Sequence, residues 1–361
     1  MLIFYKFIVF FYRKDLLNMS KKFLGALMLV VLLAGLASAA GRAVWNFKAD
    51  VGISSSIAVA GDLVLAGDAG GKFYAVNKNT GNLAWAYTGT NSIIGVPAVS
   101  DGKVVFSQGD GTITCLNLNN GSVIWNNEAK IEGEGLTVVD GVAIGDGKVY
   151  VARGDAVLYA LNLSDGHSVW KYKTESNELR TAPAFAENYV MLGEQNGKFD
   201  LIDPKTGKRV TGGGAGGAVN TPVFSNGDIY FSSWDGSVQK VQLKGVTPKW
   251  HSKVGDPVTT EPVVAAGRVY VGTANGLVFA LSAEGGNILW NYDTQGGSID
   301  ANPVFADGAL YIVTGQGKLI ALDAASGRLR AEFGDATSSS TPVYENGTLF
   351  IAGDGGINAL R

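Results

Sequence analysis

The 361-residue sequence is short of the residues from which compact chemical centres are built. It holds one cysteine, two histidines and nine prolines, and 17% of its residues are charged. A single cysteine excludes an intrachain disulfide framework and a cysteine-rich zinc site. Two histidines leave little material for a histidine-built metal or nucleophilic centre. With 46% hydrophobic residues, the chain is not a disordered low-complexity polymer and has enough apolar material for a sizeable core. The net charge of −3 argues against nucleic-acid binding. The abundant residue is glycine, 50 in all, about twice the usual share of ~7%. In a chain this apolar, glycine is punctuation within a packed, turn-rich fold.

Residues 1–39 differ in composition from the rest. Met19-Ser20-Lys21-Lys22 is a short basic segment, residues 23–36 are continuously apolar or small, and Ala37-Ser38-Ala39 has the small-x-small form of a signal-peptidase site. This is the layout of a secretory signal, and residues 1–18 add nothing that such a signal needs, which makes Met19 a candidate for the true start. The competing reading is an uncleaved anchor over the 18 residues 23–40, the short end for a membrane span. No cysteine follows this segment, so a lipid anchor there is not expected. Removing residues 1–39 takes away five basic residues and one acidic residue, leaving −7 on residues 40–361. The expectation is an exported acidic domain with no affinity for nucleic acid, touching membrane only through an uncleaved signal segment.

Residues 40–361 are one unit written repeatedly. Pro97, Pro183, Pro222, Pro262, Pro303 and Pro342 recur, the last four steps being 39, 40, 41 and 39 residues. Trp45, Trp85, Trp125, Trp170, Trp250 and Trp290 recur at 40, 40, 45, 80 and 40, with Thr211 on the skipped rung and Ala331 after the last. Each copy contains short β-branched or aromatic runs, many separated by Asn-Gly or Asp-Gly pairs that permit the positive φ of tight hairpins. A copy of about 40 residues with four strands is a propeller blade. The last copy stops after its third strand, and Ala43–Phe47 supplies a Trp-bearing fourth. The expectation is an all-β, eight-bladed β-propeller of four-stranded antiparallel blades, closed by an N-terminal strand completing the last blade.

Two columns read as structural. Gly81, Gly121, Gly166, Gly207, Gly286 and Gly327 follow the third strand of their copies by a fixed interval, and the tryptophan position comes four residues later. The spacing Ala75-x-Asn77-x-x-Thr80-Gly81-x-x-x-Trp85, repeated around Trp170 and Trp290, resembles the repeat motif of the PQQ-like β-propellers. The resemblance covers the chain from about residue 41 to its last residue. That family contains quinoprotein dehydrogenases, which bind pyrroloquinoline quinone (PQQ) and Ca²⁺, and non-enzymatic BamB-like members that act as protein-binding scaffolds.

The residues weigh toward a scaffold. Many quinoprotein dehydrogenases stack the quinone on a disulfide between adjacent cysteines, and Cys115 is alone. The repeats are close to minimal, the one visible insertion lying within residues 128–141. Candidate carboxylates for Ca²⁺ are Glu128, Glu132, Glu134, Glu175, Glu178, Asp256, Glu261, Asp300 and Asp335, with no motif joining three of them. His167 and His251 read as surface positions in separate copies. No catalytic residue, metal ligand or cofactor is therefore assigned; PQQ and calcium belong to the dehydrogenase alternative, and a carbohydrate-binding or surface module is a third. The resemblance implies a protein partner at the cell envelope and makes Leu179-Arg180 candidates for its surface. Trp234, an aromatic at a turn, is another candidate contact. TGGGAGGAVN (211–220) reads as a featureless mobile loop beside them. A monomer is expected.

Overall fold

The computed structural model describes residues 42–127, 138–336, 340–353 and 355–361. The signal segment and Glu128, Glu132 and Glu134 lie outside these residues. Among the described residues there is no α-helix, only one short 3₁₀ turn at Lys244–Val246.

Each copy folds into an antiparallel meander of four short strands. The first comprises Ala58–Ala60, Leu63–Gly67, Lys72–Asn77 and Leu83–Thr88. The two middle strands are buried on both faces, which is why LVLAG and KFYAVN read as nearly unbroken apolar runs. The outermost strand alternates exposed and half-buried residues, because one face is packed and the other meets solvent. Successive meanders span residues 93–127, 138–173, 184–214, 223–253, 263–293 and 304–335; the last comprises 343–360.

Two kinds of turn explain the recurring glycine pairs. Between the first two strands both central residues have positive φ in most copies, as at Asp101-Gly102 (50° and 68°) and Asn226-Gly227 (51° and 84°), the requirement of the hairpin turn whose twist suits the strands. Between the second and third strands the one positive-φ residue is a glycine in most copies, and an Asp or Asn before it can accept the amide two residues on: Asp110 Oδ1 accepts the Thr112 amide at 2.9 Å and Asn196 Oδ1 the Lys198 amide at 3.0 Å.

Among the described residues, six of the sheets have four strands. The seventh has eight, because the innermost strands of the second and third meanders meet in parallel at Gly141 and Val96. Sequence reading expects separate meanders here. The close approach depends on a missing side chain, since a Cβ on Gly141 would lie 3.1 Å from the Val96 amide nitrogen.

A second departure concerns residues 211–220. They are not wholly a loop: Arg209–Gly214 is the outermost strand of the fourth meander, with Thr211 opposite Leu201 and Gly212 opposite Asp200. The glycines are there because space is lacking. A Cβ on Gly212 would sit 2.2 Å from the Phe199 carbonyl oxygen, and one on Gly213 2.6 Å from the Phe199 ring.

Among the described residues the core is divided into eight apolar clusters, each between two meanders. Phe73 of the first stacks on Phe106 of the second at 4.3 Å between centroids. Tyr150, Leu158 and Leu192 join the third to the fourth, and Tyr270, Ile312 and Leu322 the sixth to the seventh. One cluster unites Phe350, Ala352 and Ile357 of the last meander with Val64, Ala66 and Tyr74 of the first. The strand Ala43–Lys48 pairs antiparallel with Gly356–Leu360 as the fourth strand of that last sheet. Arg42 and Arg361 exchange backbone hydrogen bonds of 2.7 and 3.0 Å beside it.

The tryptophan and glycine columns meet across the gaps between meanders. Each indole Nε1 donates to a backbone carbonyl of the next copy: Trp45 to Lys78, Trp85 to Leu118, Trp125 to Leu163, Trp170 to Pro204, Trp250 to Ala283 and Trp290 to Ala324, at 2.9–3.2 Å. Each ring lies against the positive-φ glycine of that copy: Gly81, Gly121, Gly166, Gly207, Gly286 and Gly327 respectively.

Candidate functional site

Five residues precede the innermost strand of most copies, or open it in the second, and they help to build the wall of a cavity of about 710 Å³. The first of the five is aliphatic and buried in most copies: Ile53, Ile93, Leu179, Val258 and Ile299 are all 3% exposed or less. The next three are mostly polar, and most of these side chains are already engaged. Ser56 Oγ accepts the Thr341 amide at 3.3 Å, Thr341 Oγ1 accepts the Asn302 amide at 3.2 Å, and Asn302 Oδ1 accepts the Glu261 amide at 2.9 Å. Thr221 Oγ1 donates to the Ala182 carbonyl at 2.9 Å, and Asn220 Nδ2 to the Val258 and Thr260 carbonyls at 3.0 and 3.1 Å. These bonds stitch one copy to the next. The hydroxyl and amide lining is therefore a structural belt first.

What remains on the cavity wall is uneven. The fourth to seventh meanders contribute Arg180, Gln195, Trp234, Glu261 and Asp300; the first two contribute Ser54, Ile94, Gly95 and Val96. One side is charged and aromatic, the other small and apolar. Trp234 is 53% exposed and Val96 43%, large apolar surfaces left open at a concave rim. Arg180 Nε lies 3.0 Å from Glu178 Oε2, both side chains well exposed. Asp300 Oδ1 accepts the Ser298 hydroxyl at 2.6 Å.

The structure separates the Leu179-Arg180 pair. Arg180 stands at the cavity. Leu179 is 1% exposed and packs with Tyr150, Leu158 and Leu192, so it is a core residue and not a contact residue. It occupies the buried aliphatic column, and successive residues of an extended segment point to opposite sides. Trp234 lies in the turn between the strands Asp228–Ser232 and Ser237–Gln242 of the fifth meander.

The remaining sequence candidates are dispersed. Glu175 pairs with Lys198, and Asp256 Oδ1 accepts Asn275 Nδ2 at 2.5 Å. Glu261 and Asp300 share the cavity wall. Among the described residues, no group of three or more His, Cys, Asp or Glu is arranged to hold a metal ion. His167 and His251 are exposed. Cys115 is fully buried, and burial pushes its thiol up to about 11.

Sequence reading missed a buried polar column. The residue that ends or follows the second strand is polar in seven copies: Asp68, Gln108, Arg153, Glu194, Ser233, Thr273 and Thr314, all 4% exposed or less. Several cap the loop arriving from the previous copy: Gln108 Oε1 accepts the Thr90 amide at 2.8 Å, and Glu194 Oε2 the Ser176 amide at 3.1 Å. The signal was present, since these residues stand at one repeat position, but a polar residue at a turn reads as solvated.

Solved structures share this architecture. BamB from Moraxella catarrhalis superposes with a TM-score of 0.74 over 90% of this chain and 98% of that one, at 19% identity. The computationally designed protein Ika8 gives 0.75 over 89% and 99%, at 18% identity. The class is thus an all-β propeller of four-stranded antiparallel sheets. The family described as outer membrane protein assembly factor BamB matches residues 31–243, 130–292 and 234–361, and the chain belongs to it. Its relatives of that name include proteins from Yersinia pestis, 25% identical over 253 residues (66% of this chain, 53% of the relative), and Escherichia coli K12, 32% identical over 257 residues (64% of each). The chain spans between about half and two thirds of the length of these relatives.

Proposed function

We propose that this protein is an exported, non-catalytic scaffold of the cell envelope, which holds a protein partner at the cavity rim formed by the fourth to seventh meanders. The ring behind that rim has eight blades, the last completed by the N-terminal strand. Eight apolar clusters that run from meander to meander and return from the last to the first support that count. Family membership supports the scaffold role, because the relatives bear the name of an assembly factor. The signal-like residues 1–39 support export, with the domain acting as a monomer.

One observation carries the choice of surface. Most of the polar lining is committed to bonds between copies, while Trp234 and Arg180 stand exposed on the wall of the same cavity. An exposed tryptophan and an arginine at a rim are the residue types that dominate protein-protein contacts. The reading uses no cofactor.

Photo-cross-linking from positions 180 and 234 in intact cells tests it. The expected result is one specific protein adduct at both positions, weakened by Trp234→Ala and Arg180→Ala together. Purified protein should not bind PQQ up to ~100 μM, weaker than about −5.5 kcal/mol. Saturable, Ca²⁺-dependent quenching of tryptophan fluorescence at lower concentration would overturn the scaffold reading.

A further inference from the structure

Five Asn-Gly pairs occur in the sequence, at 120–121, 196–197, 226–227, 275–276 and 346–347. Such a pair is open to one uncatalysed reaction, because glycine leaves its own amide unobstructed. The deprotonated glycine nitrogen attacks the asparagine Cγ, and a new C–N bond closes a five-membered succinimide. The bond from Cγ to Nδ2 breaks, and ammonia leaves. Water then opens the ring at either carbonyl, giving aspartate or isoaspartate.

In three of the pairs both reacting groups are held. The Gly121 amide donates to the Asn117 carbonyl at 2.9 Å, the Gly197 amide to Glu194 at 3.2 Å and the Gly276 amide to Thr273 at 3.1 Å. The side chains are held as well. Asn120 Oδ1 accepts the Ser122 amide at 3.0 Å, Asn196 Nδ2 donates to Glu194 Oε2 at 3.1 Å, and Asn275 Nδ2 donates to Asp256 Oδ1 at 2.5 Å.

The other two pairs are free. Asn226-Gly227 and Asn346-Gly347 are the two-residue turns between the first and second strands of the fifth and last meanders. All four residues are exposed. Among the described residues neither glycine amide has a hydrogen-bond partner. Asn226 Nδ2 makes one long bond, 3.3 Å to Ser225 Oγ, and the Asn346 side chain makes none. A Cβ built on either glycine would meet nothing within 4 Å, so the tip has room to rotate. Bringing the nitrogen onto Cγ there breaks no bond of the attacking amide.

We propose that Asn226 and Asn346 are sites of spontaneous deamidation in the folded protein, and that the fold protects Asn120, Asn196 and Asn275. Asp101 stands at the same turn position in the second meander with φ 50°, so the aspartate product fits the turn. Isoaspartate does not, because its Cβ enters the main chain and lengthens a turn whose length sets the register. Either product adds a negative charge. It falls at the far end of the innermost strand from Thr221 and Thr341, which stand on the cavity wall. The modification is therefore independent of what binds at the rim.

Incubation of the full chain at mildly alkaline pH, in buffer and in parallel in concentrated urea, tests this. Peptide mapping by mass spectrometry follows conversion at each of the five asparagines. In buffer, positions 226 and 346 are expected to convert at least about fivefold faster than the other three, the scale of one net hydrogen bond. In urea the five rates should converge, since glycine follows asparagine in every pair. A smaller gap in buffer, a faster rate at any of the three bonded pairs, or a gap that persists in urea would overturn the assignment.

Discussion

At Gly166 the chain turns with φ +73°, and a Cβ there would lie 2.7 Å from Cε3 of Trp125. Gly102 has nearly the same φ, +68°, but nothing within 4 Å of the same atom. The two positions separate backbone strain from ring contact. Gly102→Ala is expected to cost about 1–2 kcal/mol, the strain of a left-handed residue. Gly166→Ala should cost a further 1–3 kcal/mol, roughly the overpacking of a close contact. Urea denaturation measures both, and equal losses would show that the ring fits loosely. Neighbouring residues 179 and 180 differ as sharply. Leu179→Ala should destabilise by about 2–5 kcal/mol through the cavity it leaves. Arg180→Ala should stay within about 0.5 kcal/mol while weakening the proposed partner contact. A stable Leu179→Ala variant that loses the partner would reverse these roles.

Among the elements, the strand Ala43–Lys48 has the largest separation from its partner and the clearest signature. Trp45 stands on the tryptophan rung forty residues before Trp85, so the need for a fourth strand in the last sheet can be read from spacing alone. A chain beginning at residue 50 would leave Gly356–Leu360 as an open edge with unpaired amides. Relative to a chain beginning at residue 42, it is expected to self-associate on size exclusion and to unfold at lower urea, and a peptide of residues 42–49 added in trans should reverse both. Identical elution and midpoint would show that the strand is dispensable. Other elements were less legible. Glycines in 211–214 signal flexibility in a sequence, whereas here they answer the crowding of Phe199 against a strand. The buried polar column was hidden because its partners are backbone amides of another copy, some 18 residues away, which no side-chain motif records. Repeat period and turn chemistry, being local, revealed the meanders; the cavity wall, being made by the convergence of many copies, could not be read that way.

For the molecule as a whole, two opposed titrations set a pH optimum. Burial alone would raise Asp228, but hydrogen bonds from Lys249 and Lys240 outweigh it and hold the carboxyl below its ordinary 3.8. Its contribution is present above that value and is lost as the pH falls below it. Glu194 is raised from 4.5 to about 7, so the folded state keeps a proton that the unfolded state gives up. That contribution is full below 4.5 and declines as the pH rises to about 7. The thermal midpoint is therefore expected to be highest near pH 4–5 and to fall on both sides, with Glu194→Gln flattening the decline above pH 5. A wild-type midpoint that climbs from pH 5 to 8 would contradict this assignment.

The seam between Asn46 and Asn358, 312 positions apart, also imposes an order of events. Every other sheet draws its strands from one continuous stretch of chain and is complete as soon as that stretch exists. The last sheet is not: its outer strand is made 312 positions before the strand that it pairs with. Until residues 356–360 emerge, that outer strand has no partner along its edge, and the circuit of packed faces stays open between the first and last meanders. A nascent chain of this sequence thus carries its own clock, set by the stretch that separates the two strands, and whatever must reach its interior faces has that interval in which to do so.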